Sequence, residues 1–99
     1  MTRVEYSEDG KTLIKAYNIG GHFTVPEGVT KIGVGAFSNC YLLKSIKLPN
    51  SVKKIAAKAF WGCSSLNNIE IPNSVTEIGS CIFSGCSTLS NIDIPSTIN

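Results

Sequence analysis

The chain is poor in the residues that carry most enzyme chemistry. Its 99 residues include one histidine, His22, one tryptophan, Trp61, and no lysine or arginine after Lys58. A single histidine leaves no Cys/His cluster of the kind that holds zinc. The sequence contains neither a phosphate-cradling glycine loop nor a nucleophile elbow, so it reads as a non-enzyme with no metal and no cofactor. No apolar run approaches the ~20 residues that cross a bilayer. The opening MTRVEYSEDG is not a basic-then-apolar signal peptide. A secretory signal would therefore lie outside this sequence, and a cytoplasmic location is compatible with it as well.

Proline is scarce too, and its scarcity is informative. The four prolines, Pro26, Pro49, Pro72 and Pro95, stand 23 residues apart. With them travel Val29, Val52, Val75 and Ile98; Ile32, Ile55 and Ile78; Phe37, Phe60 and Phe83; Leu43, Leu66 and Leu89; Ile46, Ile69 and Ile92; and Leu48, Ile71 and Ile94. The period has no insertion. Units of this size cannot bury an apolar side alone, so copies must stack with equivalent residues over one another. These columns are the expected core.

Cysteine follows the same rule. Cys40, Cys63 and Cys86 form one column and read as small buried hydrophobes. Parallel strands would bring them close, but parallel Cβ vectors are poor for disulfide bridging. Cys81 lies in the column of Gly35 and Lys58 and is the thiol expected to be accessible.

Net charge is +2, and its distribution is uneven. Residues up to Lys58 carry +5, and those from Ala59 onward carry −3. In a linear stack this becomes a gradient along the axis that can orient a partner. It is not a nucleic-acid stripe, because Lys44 and Lys47 are expected on a different face from Lys31, Lys53, Lys54 and Lys58.

Residues 1–21 do not match the repeat. Two β-prone runs, Val4–Tyr6 and Thr12–Ile14, flank an Asp9-Gly10 turn signal, which reads as a β-hairpin cap over the first strand of the stack. Residues 22–99 hold the array, with three full units and a truncated end. Within a unit, alternation ending at Ile69 and Ile71 reads as a half-buried strand that Pro72 terminates. A small residue, Gly33, Ala56 or Gly79, then suits a tight corner. The Ala-Phe-Xaa-Xaa-Cys segment reads as one helical or 3₁₀ turn whose phenylalanine plugs the core.

The pattern in LLKSIKLPNSVKKIAAKAFWGCS and LNNIEIPNSVTEIGSCIFSGCS resembles the BspA-type leucine-rich repeat, and SEDGKTLIK resembles the hairpin that precedes such arrays. The resemblance implies a repeat solenoid, a right-handed β-rich superhelix with parallel strands lining a concave face. It also implies a cell-surface or secreted adhesion protein that binds a host protein or glycan.

Two columns of polar residues are expected on that concave face: His22, Ser45, Asn68 and Asn91, and Thr24, Lys47, Glu70 and Asp93. They are candidates for partner binding, although outward positions on any strand are polar. Lys47 beside Glu70 is an attractive pair worth about 0.2–1 kcal/mol. Trp61 and Tyr41 replace serines in columns expected on the convex side, and each reads either as a contact residue or as an aromatic lying flat against its neighbours. An alternative to adhesion is self-assembly, with a homodimer forming through the unpaired edge of the last strand, Asn91–Ile94.

Overall fold

The apolar columns stack through two parallel ladders in the computed structural model, which describes residues 2–93. Nine strands occur in order: β1 (Arg3–Tyr6), β2 (Thr12–Tyr17), β3 (Gly21–Thr24), β4 (Lys31–Ile32), β5 (Leu43–Lys47), β6 (Lys54–Ile55), β7 (Asn68–Glu70), β8 (Glu77–Ile78) and β9 (Asn91–Asp93). One sheet has the order β1-β2-β4-β6-β8 and the other β3-β5-β7-β9. From β3 onward the register follows the 23-residue period. Phe23 faces Ile46, Ile46 faces Ile69, and Ile69 faces Ile92, while Ile32, Ile55 and Ile78 align in the other sheet. The segments that carry Phe37, Phe60 and Phe83 link the strands of one sheet to those of the other.

The second ladder was not an expectation of the sequence. Its strands within the repeats, β4, β6 and β8, are two residues long, too short for alternation to show. They pair because any extended dipeptide repeated in register lies at strand spacing from its own copy.

β2 has two partners. It pairs antiparallel with β1 and parallel with β4, with Leu13 beside Ile32. The turn joining β1 and β2 is held by its own polar groups. The Ser7 hydroxyl donates to Asp9 Oδ1 at 2.7 Å, the Lys11 N–H donates to the same oxygen at 3.0 Å, and Gly10 takes a left-handed φ of 74°. These bonds hold the Asp9 carboxyl below its ordinary pKa.

The expected helical or 3₁₀ turn is not found, since no helix occurs among the described residues. The reason lies in the backbone. Gly35, Lys58 and Cys81 at one column, and Asn39, Gly62 and Gly85 at another, all have φ between 58° and 81°. Each interrupts the run of right-handed residues that a helix needs. Backbone donors also alternate in direction. Ala36, Ser38 and Cys40 donate within their own unit, to Gly33, Gly35 and Phe37, while Gly35, Phe37 and Asn39 donate to Ala57, Ala59 and Trp61 of the next. The corner is thus a row of tight turns knitted to its neighbour.

The core is built from the columns. Phe37, Phe60, Ile32, Ile55, Leu43, Leu66, Val29 and Val52 are fully buried. Phe60 stacks between Phe37 and Phe83, with ring centroids at 5.4 and 6.0 Å and interplanar angles of 19° and 10°. Phe23 from β3 leans on Phe37 at 5.8 Å and 57°, closing the near end. The cysteine column is buried at Cys40 and Cys63, and all four thiols are free. The thiols also bond: Cys63 Sγ donates to the Phe37 carbonyl at 3.0 Å and Cys86 Sγ to the Phe60 carbonyl at 3.2 Å. Burial pushes the Cys63 thiol up to about 12 and raises Cys40 and Cys86 as well. The column positions Pro95 and Ile98, and Ile94 at the edge proposed for self-pairing, lie outside the described residues.

Candidate functional site

The outer face of the four-stranded sheet presents the polar residues that the alternation assigns to it. Successive side chains of a strand point to opposite sides. Burying Ile46 and Ile69 inward therefore turns Ser45, Lys47, Asn68 and Glu70 outward. The shared period then aligns them: His22 faces Ser45 and Ser45 faces Asn68 in one column, and Thr24 faces Lys47 and Lys47 faces Glu70 in the other. The backbone of β9 extends both, with Asn91 beside Asn68 and Asp93 beside Glu70. The side chains of Asn91 and Asp93 lie outside what is described.

Along the first column, the His22 ring Nδ1 and the Ser45 hydroxyl are hydrogen-bonded. This contact ties the imidazole of an exposed residue to the next strand. Along the second column the outcome differs from the attractive pair expected of Lys47 and Glu70. The ion pairs among the described residues are Arg3–Glu5 at 3.5 Å and Lys54–Glu77 at 3.6 Å, so Lys47 and Glu70 are ladder neighbours whose charged heads do not close on each other. Exposed ammonium and carboxylate groups gain little from one geometry and lose side-chain freedom in adopting it. Both side chains are exposed.

Six of these residues, His22, Thr24, Ser45, Lys47, Asn68 and Glu70, line a shallow depression of about 270 Å³. A second depression continues from Lys47 and Glu70 over the ends of the strands to Glu27, Asn50 and Asn73. Those three were missed in the sequence. The signal that finds them is the period itself, because each follows a proline of the column Pro26, Pro49 and Pro72. The described residues contain no group of three or more His, Cys, Asp or Glu that could hold a metal. What the face offers is a row of donors and acceptors of both charges on a rigid sheet.

The other candidates sit elsewhere. Trp61 is half-exposed on the turn face, where it shares a depression with Val34, Ser38, Asn39 and Lys58. Tyr41 is exposed beside Leu42, a residue the repeat pattern did not single out. Lys44 and Lys47 belong to β5 of one sheet, whereas Lys31 and Lys54 belong to β4 and β6 of the other.

A family model described as a BspA type leucine rich repeat region (6 copies) matches residues 17–99. Among solved structures, a leucine-rich repeat protein from Eubacterium ventriosum is similar with a TM-score of 0.91 and 29% identity over 96% of this chain and 26% of that one. The leucine rich repeat protein of T. pallidum gives 0.84 and 27%, covering 99% of this chain and 49% of that one. A leucine-rich repeat protein from Bacteroides ovatus gives 0.80 and 30%, covering 99% and 29%. This chain thus spans about a quarter to a half of the length of those relatives. No curated protein matches it.

Proposed function

Because the chain belongs to the BspA-type leucine-rich-repeat family, whose repeats are non-catalytic interaction scaffolds, we propose that it binds a protein or glycan through the outer face of the β3-β5-β7-β9 sheet. The observation that supports this reading is the pair of polar columns with Lys47 and Glu70 unpaired at their centre. An interaction surface of this kind gains specificity from charge placed for a partner rather than neutralised within the face. His22, Thr24, Ser45 and Asn68 add neutral hydrogen-bonding groups beside the charges, which suits sugar hydroxyls and peptide amides alike. Asn91 and Asp93 continue the two columns in the sequence and belong to the same proposed surface.

The setting we propose is the cell surface or the secreted space, with host extracellular matrix or cell-surface molecules as partners. The test is to screen the full chain against immobilised matrix proteins and a glycan array, then repeat it with Lys47→Ala and Asn68→Ala. Binding is expected to fall roughly tenfold in at least one variant, as for truncation at the centre of an interface. Circular dichroism should stay that of the parent, since both side chains are exposed. If every variant of the strand face binds its ligand as the parent does, the assignment is wrong.

A further inference from the structure

The turn segments 33–42, 56–65 and 79–88 contain no aspartate or glutamate. Large apolar side chains stand out of this face: Val34 is 70% exposed and Leu42 72%, with Tyr41 and Trp61 beside them. Val34 and Trp61 line an open depression of about 240 Å³, and Asn39, which lines it, also lines the neighbouring hollow under Tyr41 and Leu42. Clustered exposure of this kind is unusual for a solvated surface.

The two charged side chains that reach residues lining the depression, Lys58 and Lys15, are both cationic. Lys58 stands exposed at its edge. Lys15 reaches in from β2, its Nζ donating to the Gly35 carbonyl at 3.0 Å and the Ser38 hydroxyl at 2.8 Å. The carboxylate paired with Lys15 across the strands, Glu5, already accepts from the Tyr17 hydroxyl at 3.0 Å and meets Arg3 at 3.5 Å. The indole N–H of Trp61 has no acceptor among the described residues.

From these contacts we propose that the turn face around Val34 and Trp61 is a second docking surface, for an acidic peptide segment bearing a large apolar side chain. The apolar side chain enters between Val34 and Trp61, and carboxylates flank it at Lys58 and Lys15. Recognition runs through side chains, because the N–H groups of Gly35, Phe37 and Asn39 are already spent on the next unit and leave no edge for an added strand. Two lysines are too few for an anionic membrane, where each contributes only about 1 kcal/mol near the surface. This surface shares no residue with the strand face, so either can fail alone.

Trp61 is the only tryptophan of the chain and reports on the site directly. The full chain is titrated with a short peptide of two leucines flanked by aspartates, with its lysine-for-aspartate counterpart, and with vesicles containing phosphatidylserine. Saturable binding of the acidic peptide with a blue shift of Trp61 emission is expected. Lys58→Glu and Val34→Glu, both at exposed positions, should each weaken it by roughly fivefold or more, and Lys47→Ala should leave it unchanged. Equal binding of the lysine peptide, an unmoved Trp61 spectrum, indifference to Lys58→Glu, or a stronger response to vesicles than to peptide would overturn the proposal.

Discussion

Phe60 lies between two stacked rings with no exposed surface, and its truncation opens a cavity that neither neighbour can close without breaking its own stack. Phe60→Ala should therefore cost about 3–5 kcal/mol, measured by urea denaturation. A variant as stable as the parent would mean that the ring column is not the centre of the core. The period alone places Phe60 there, because stacking copies forces equivalent residues together. It did not reveal the sulfur bonds, which depend on where the carbonyl of the preceding unit points. The raised thiol of Cys63 has a consequence for pH. Its folded pKa, about 12, lies above the ordinary thiol value, so the stabilisation is complete below pH ~9 and disappears as pH rises toward 12. The parent should lose stability across that window more steeply than Cys63→Ala, as read from denaturation midpoints at successive pH values. In the native state at mildly alkaline pH, a thiol reagent should label the exposed Cys81 first and leave Cys40 and Cys63 until unfolding.

At the scale of the element, the corner turns decide what the sequence left ambiguous. Ala-Phe-Xaa-Xaa-Cys has the spacing of a helical turn, and nothing in local propensity forbids one. What prevents it is the left-handed residue on each side of the phenylalanine, a conformation that non-glycine residues adopt at a cost of about 1–2 kcal/mol. Cys81, with φ of 58° where the first unit has Gly35, bears that cost with a side chain. Cys81→Gly should stabilise the protein by about 0.5–1 kcal/mol, after allowing for the looser unfolded chain. Gly79 is the opposite case. A Cβ there would fall 2.7 Å from the Ala57 Cα, backbone that cannot retreat, so Gly79→Ala should destabilise by roughly 1–3 kcal/mol. Thermal denaturation of the two variants checks both signs, and a stabilised Gly79→Ala would refute the close approach. Gly79 was legible as a corner residue because of its column, but the crowding that demands glycine comes from the stacked neighbour and appears only in three dimensions.

Across the whole molecule, each unit touches only the units beside it, yet the phenylalanine stack runs through all of them. Unfolding should consequently be a single transition, with Trp61 fluorescence and far-ultraviolet circular dichroism giving the same midpoint. Separate midpoints would show that units melt independently. The candidate strand face was legible at this scale as two polar columns, because strand alternation and the period together specify which residues share a face. What the sequence by itself determined is whatever repeats: the apolar columns, the register and the outward side chains of the strands. A 23-residue period leaves stacking copies no other alignment. Only the tertiary structure decided the features that depend on a neighbour at a particular distance. These are the second ladder with its two-residue strands, the left-handed corners in place of a helix, the open Lys47–Glu70 pair, and the depression that joins Val34 to Trp61. In each, the outcome is set by contacts between units, which no single stretch of chain encodes.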